Sequence, residues 1–310
     1  MATEDNLTPE AQQRLAQLSS TPLSTHKTES NPLVGFAQSV KELFSRRYVL
    51  KLLVKRELAV RYKESTLGFV WALVKPLTQL LIYYLVIGKF LGAARSLDNF
   101  GIFVFTGLTL YGLFSDTVKQ MTDSIVNNDG LIKKTYLPRE IFPIATLGST
   151  LFNFGIQFMI LLVAALLSGT MAWGPELFYI PVSTVLILLW ATGLGLMMSA
   201  WNVQLRDIGF MSEVLLMLLM WFSPIVYSWT FVRDTLVGTS YQWLYDIYMA
   251  NPLTIAVLGY QEAFWAPGSG GETPPHLALS TAIAFAAGIV LLVLGQRVFA
   301  KHQANFAQEL

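Results

Sequence analysis

Arg61, Tyr62 and Lys63 stand just ahead of a long apolar run, and Lys75 stands inside it. These are the groups in the chain best placed for chemistry at a membrane surface. A guanidinium matches the geometry of phosphate oxygens, and a neighbouring lysine adds a point charge. The first three therefore form a candidate site for an anionic lipid headgroup. The other reading of Arg61 is an i, i+4 pair with Glu57, both stems lying along an apolar stripe. Lys75 is the ninth residue of the run that opens at Leu67. An unpaired ammonium at mid-membrane costs about 3 kcal/mol or more. Lys75 must therefore snorkel to the interface or face a partner, a cavity or a pathway. Pro76 beside it removes a helical hydrogen bond and predicts a kink.

Most catalytic chemistry is excluded by what the chain lacks. It has no cysteine, which removes disulfides, thiolate metal sites and cysteine nucleophiles. Neither a GxxxxGK[ST] phosphate cradle nor a GxSxG elbow occurs, so the sequence carries no P-loop and no hydrolase-type serine. His26, His276 and His302 are scattered through a tail, a loop and the C-terminus, with no pair at metal-binding spacing. Asp116 is the one candidate carboxylate in a span, and Lys119 three residues on can neutralise it. No residue is predicted to be catalytic and no cofactor is expected on this chain.

The elements that must position these groups are membrane spans. Of 310 residues, 54% are hydrophobic and 13% charged, whereas a soluble domain carries roughly 25% charge. Much of the surface must face something other than water. The net charge of +1 points neither to nucleic acid nor to an acidic partner. A span takes about 20 mostly apolar residues. Six segments qualify: Leu67–Leu91, Ile102–Val118, Ile141–Leu167, Phe178–Trp201, Val214–Trp229 and Leu277–Leu294. The last four contain no charged residue. Ion-coupled carriers need ionisable groups at depth, so energy for active transport must come from another chain.

Lys and Arg cluster before the first span, between spans two and three, at Arg206, and at Arg297 and Lys301. Positive residues mark the cytoplasmic side, which puts both termini there; an even span number agrees. Residues 1–31 are polar and read as a disordered cytoplasmic tail, 32–65 as an amphipathic interfacial helix region, 66–300 as the transmembrane domain and 301–310 as a short tail. On the interfacial helix Leu50, Leu53, Val54 and Leu58 make the apolar face. Between spans five and six, residues of about 233–265 are too apolar for a plain loop. They are too broken at Asn251–Pro252 for a seventh span. Two short helices at the outer surface, hinged near Asn251, suit this segment.

Two cytoplasmic loops look like partner contacts. In the first, Gly130 and Pro138 bracket a short amphipathic helical turn in which Leu131, Ile132 and Tyr136 flank Lys133 and Lys134. Its apolar side chains suit a partner's groove. The second holds Arg206 and Asp207, which are either a contact or a simple surface pair. Aromatic residues on spans one, two and five, among them Tyr83, Tyr84, Tyr111, Phe114, Trp221 and Tyr227, are either belt residues or stacking surfaces for sugar rings in a wide pathway.

Four stretches in order resemble one family. RELAVRYKESTLGFVWALVKPL, GLIKKTYLPREIFPIA, NVQLRDIGFMSEVLLMLLMWFSPIVYS and ANPLTIAVLGYQEAF are similar to the permease subunits of ABC-2-type polysaccharide exporters, which serve O-antigen, capsule, teichoic acid and actinobacterial galactan export. The resemblance covers about Leu43 to Ala300. It implies a homodimer in the bacterial plasma membrane with two separate P-loop ATPase chains, which bind ATP and Mg2+, docked beneath it. It also implies a channel for a polysaccharide carried on a polyprenyl pyrophosphate lipid. Arg61–Lys63 then fall where the interfacial helix meets the headgroup. Leu131–Tyr136, with Arg206 and Asp207, fall in the region that receives the ATPase stroke. Trp243, Tyr248, Asn251, Pro252 and Tyr260 fall in paired external helices that gate the exit.

The expected fold is an all-α, six-span membrane protein. Other readings are an ABC-2 permease for a drug or small lipid, an integral-membrane transferase, and a secondary carrier or channel. A transferase would need a histidine or carboxylate cluster at a membrane face, which the sequence does not offer.

Overall fold

A computed structural model describes residues 32–62, 70–134 and 137–310, and among these the chain is helical with no strand. Helices α1 (Pro32–Ser45) and α2 (Arg47–Tyr62) come first. α3 spans Trp71–Tyr83 and continues as a π-helical stretch, Tyr84–Phe90. α4 is Phe100–Asp123, α5 Ile141–Ser168, α6 Tyr179–Gln204 and α7 Asp207–Trp221. Three shorter helices follow, α8 (Trp229–Leu236), α9 (Gln242–Ala250) and α10 (Pro252–Phe264), and α11 (Leu277–His302) closes the bundle.

Among the described residues, five helices are long and apolar enough to cross a membrane: Trp71–Phe90, Phe100–Asp123, Ile141–Ser168, Pro175–Gln204 and Leu277–His302. The chain is thus a multi-pass membrane protein. Five of the expected spans fall on these helices. The other, expected at Val214–Trp229, does not form one helix, because α7 stops at Trp221 after 15 residues. At 1.5 Å per residue that is about 22 Å, short of a hydrocarbon core of roughly 30 Å. Pro224 explains the stop: it lacks an N–H and biases Ser223 away from helix. Ser223, Pro224, Ile225 and Val226 are nevertheless buried. Gln261 donates to the Pro224 carbonyl at 2.7 Å, and Asn251 to that of Phe222 at 3.1 Å. Irregular backbone survives at membrane depth where protein covers it in this way.

α4 is the axis of the bundle. Its most apolar window is 72% buried, against 6% for Trp71–Phe90, so α3 lies at the periphery. α6, α5, α10 and α7 all pack on α4. α6 and α11 approach most closely at Gly193 and Gly295, where a Cβ on Gly295 would strike the Gly193 carbonyl. Small residues allow such backbone contact, on which membrane helix packing depends.

The structure gathers the charged segments at opposite ends. Leu53 of α2, Met121 of α4, Ile132, Phe142 of α5, Val203 of α6 and Phe299 of α11 share one core. The same segments carry Lys51, Lys55, Lys133, Arg206 and Lys301, which makes this the basic end. At the other end the Trp265 indole donates to the Asp98 carbonyl and that of Trp229 to the Glu272 carbonyl. This is the acidic end. α9 and α10 hinge at Asn251 as expected. α10, however, is no surface helix: every residue from Leu253 to Phe264 is buried.

Candidate functional site

At the basic end α2 lies along α5 with the expected apolar face. Leu53 is buried, Leu50, Val54 and Leu58 are half-buried, and Val54 sits on Gly148, where a Cβ would come within 2.6 Å. Lys51, Lys55 and Arg56 face outward, and Arg56 donates to Asn128 at 3.1 Å. Arg61 and Tyr62 are the last two residues of α2, which carries them to the start of the apolar run; Lys63 lies outside the described residues. Lys75 is exposed on α3, so no cavity among the described residues encloses it, and the helix runs on through Pro76.

The loop after α4 departs from expectation. The helical turn covers Asp129–Ile132, beginning before Gly130 and ending before the lysines. Ile132 is 5% exposed and belongs to the chain's own core, packed with Ile141 and Phe142, so it cannot enter a partner's groove. Leu131 is half-buried, Lys133 and Lys134 are exposed, and Tyr136 lies outside the described residues. The surface this turn presents is basic rather than apolar. Arg206 and Asp207 are both exposed, and no ion pair joins them. Their loop is held from below by Asn202, which donates to the Thr122 carbonyl at 3.1 Å and accepts from the Gly209 N–H at 3.0 Å.

Two polar features were not read from the sequence. Glu140, immediately before α5, is 6% exposed. Its Oε1 accepts from Ser39 of α1 at 3.2 Å and from Gln296 of α11 at 3.0 Å. Burial pushes this carboxyl above its ordinary value of 4.5, against the pull of those two hydrogen bonds. Arg139 beside it donates to the Gln303 carbonyl. One side chain thus ties α1, the loop–α5 junction and the end of α11 together. The signal was present in sequence as a lone carboxylate abutting a charge-free span. The second feature is Lys119, whose ammonium meets Glu213 of α7 at 2.5 Å, a partner the sequence reading did not name beside Asp116.

The aromatic residues divide. Tyr83 and Tyr111 are half-buried and reach α7, Tyr83 through Met220 Sδ at 3.8 Å and Tyr111 through the Leu216 carbonyl at 3.2 Å. Tyr84 lies beneath Lys89, and Tyr227 donates to the Trp221 carbonyl. Trp221 is exposed, but Phe114 is 3% exposed within the main core and lines no passage in this chain. Of the gate residues, Trp243 is exposed. Tyr248 and Tyr260 are core residues, 2% and 0% exposed, and Tyr260 shares a hydrogen bond with Thr184. Asn251 caps α10, accepting from the Leu253 N–H at 3.0 Å, with Pro252 at the first helical position. Tyr248, Asn251, Pro252 and Tyr260 hold the hairpin in place.

A family model described as ABC-2 type transporter matches residues 48–265. The O-antigen export system permease protein RfbA of Myxococcus xanthus is 28% identical over 272 residues, covering 87% of this chain and 98% of that protein. A protein of the same name from Klebsiella pneumoniae is 25% identical, covering 88% and 100%. The capsule polysaccharide export inner-membrane protein CtrC of Neisseria meningitidis is 31% identical over 164 residues, 50% of this chain and 59% of that protein. The match runs from within α2 through the α9–α10 hairpin, the same stretch in which the ordered motifs fall, and the chain belongs to the ABC-2 type transporter family.

Proposed function

We propose that this chain is the membrane permease subunit of an ATP-driven exporter that moves a lipid-linked polysaccharide outward across the plasma membrane. One observation carries the reading: permeases of O-antigen export align with it over 98–100% of their own length. The sequence carries no P-loop, and this reading assigns ATP and Mg2+ to separate ATPase chains. The basic end, with both termini, faces the cytoplasm by the distribution of Lys and Arg. There Lys133, Lys134 and Arg206 offer the ATPase an exposed docking surface. α2 delivers Arg61 and Tyr62, with Lys63 next in sequence, to the membrane surface, where a polyprenyl pyrophosphate headgroup would meet them. The acidic end and the α9–α10 hairpin face outside. A second copy completes the passage, covering the peripheral α3.

Deleting the gene should trap the polymer inside the cell, and a P-loop ATPase of the same exporter, expressed with the chain, should co-purify in mild detergent. Normal surface polymer in the deletion strain, or a permease that captures no ATPase, would overturn the proposal.

A further inference from the structure

The acidic end holds a cavity of about 400 Å3, walled by the loop between α3 and α4, the start of α8, the last turn of α10 and the loop leading to α11. That is at the small end of ligand cavities, which run to about 300–1,000 Å3. It has room for a sugar unit or two. Its floor combines Phe103, Trp229 and Trp265 with the adjacent polar pair Gln261 and Glu262, all of them buried.

These walls are fixed before any ligand arrives. The Trp265 indole donates to the Asp98 carbonyl at 2.7 Å and that of Trp229 to the Glu272 carbonyl at 3.2 Å. Neither indole N–H is therefore left for a ligand, and the rings of Trp229 and Trp265, 4% and 6% exposed, show the cavity only an apolar edge. Arg233 lies over the Trp229 ring at 4.9 Å and pairs with Glu272 at 2.5 Å, locking the rim. Thr273 donates to Oε2 of Glu262 at 3.2 Å, leaving Oε1 for a ligand. The Gln261 side chain is anchored on the Pro224 carbonyl.

We infer that this cavity binds one neutral sugar unit of the polymer as it leaves on the outer side, an inference that rests on the exporter reading above. A pyranose has one face of C–H bonds and a ring of hydroxyls. The apolar edges that these rings leave in the floor suit the first, and a carboxylate that accepts hydroxyl hydrogen bonds strongly suits the second. A sugar acid would meet Glu262 and Asp98 as like charges; Glu272 is already paired with Arg233, and Arg95 is the one cation among the lining residues, so the lining stays net acidic. The site therefore selects neutral units over uronic or sialic acids.

The test is saturation-transfer NMR on the full chain in detergent, with D-galactose, D-mannose, L-rhamnose and D-glucuronate as probes. At least one neutral sugar should receive saturation, and glucuronate should receive none. Glu262→Gln should weaken the binding at least ten-fold. Ser96→Trp, which plugs the mouth from an exposed loop position without touching the core, should do the same. Trp173→Leu, exposed and outside the cavity, should leave binding unchanged. If no neutral sugar binds, if the plug has no effect, or if glucuronate binds as well, the inference is wrong. A chain whose deletion traps polymer but which binds no neutral sugar overturns the cavity assignment alone. One whose deletion leaves polymer export intact overturns the exporter reading, whatever the cavity binds.

Discussion

Gln296 of α11 donates to the carboxylate of Glu140 at 3.0 Å, joining positions 156 residues apart, and Ser39 of α1 shares the same oxygen. Burial raises the Glu140 carboxyl above 4.5. The folded state then holds a proton that the unfolded chain has already released. Stability from this group is present below pH 4.5 and is lost as pH rises through the raised folded value. Melting of the wild-type protein in detergent should therefore fall as pH climbs from the ordinary carboxylate range towards neutral. Glu140→Gln, which keeps an acceptor for both donors, should flatten that slope. Glu262, also raised by burial, leaves a residual slope of the same sign. An unchanged profile in the variant would show that Glu140 does not titrate in this window.

Ile132 and its lysine neighbours separate folding from docking. Ile132→Asp would bury a carboxylate in the basic-end core and leave a void. Replacing a large buried aliphatic side chain already costs about 2–5 kcal/mol, and the buried charge adds to that. The variant should fail to accumulate in the membrane. Lys133→Glu with Lys134→Glu changes exposed side chains only. Its monodisperse yield should be unaltered, while recovery of the co-expressed ATPase should drop several-fold. Undiminished ATPase recovery would remove the docking role from this turn.

Lys119 and Glu213 hold α4 to α7 at 2.5 Å with about half of each side chain exposed, 53% and 52%. At a water-exposed site such a pair contributes about 0.2–1 kcal/mol. Lys119→Glu should lower yield by setting two carboxylates together. The double exchange Lys119→Glu with Glu213→Lys should restore it only in part, because Asp116 and Asp123 still face position 119. Failure of the exchange, with both singles equally poor, would point to a role for Lys119 beyond the pair.

What was legible in the sequence follows from which signals are local. Span positions are runs of composition, and α3 to α6 and α11 appeared where the apolar runs lay. The amphipathic face of α2 is a periodicity, and it too was found. Pro224 stands inside the fifth apolar run, yet composition could not say that α7 ends before it. The hairpin that satisfies its carbonyls is 29 to 37 residues away. Ile132 read as an interface residue because apolar side chains in loops look available, and Tyr260 as a gate residue because the family resemblance implied an external helix there. Only tertiary packing shows that their own core has taken them. The Glu140 cluster joins three distant segments through one oxygen, a convergence that no window along the chain contains.

Asn251 is the residue on which the broken span and the hairpin both depend. Its Oδ1 caps α10 through the Leu253 N–H, and its Nδ2 donates to the Phe222 carbonyl and to Ser223 Oγ, each at 3.1 Å. Loss of a side-chain cap costs about 0.5–2 kcal/mol. A buried acceptor left unpaired costs about 1–3 kcal/mol more. Asn251→Ala should therefore lower the melting temperature more than either loss alone would. Asn251→Asp keeps the cap and gives up the donor, so it should recover only the capping share. Because α10 packs on both α4 and α6, the damage should reach the span core and appear as increased proteolysis between Thr235 and Gln242. If Asn251→Ala melts with the wild type, the carbonyls exposed by the end of α7 must be satisfied by Gln261 and Thr254 alone, and the hinge is not what holds the break together.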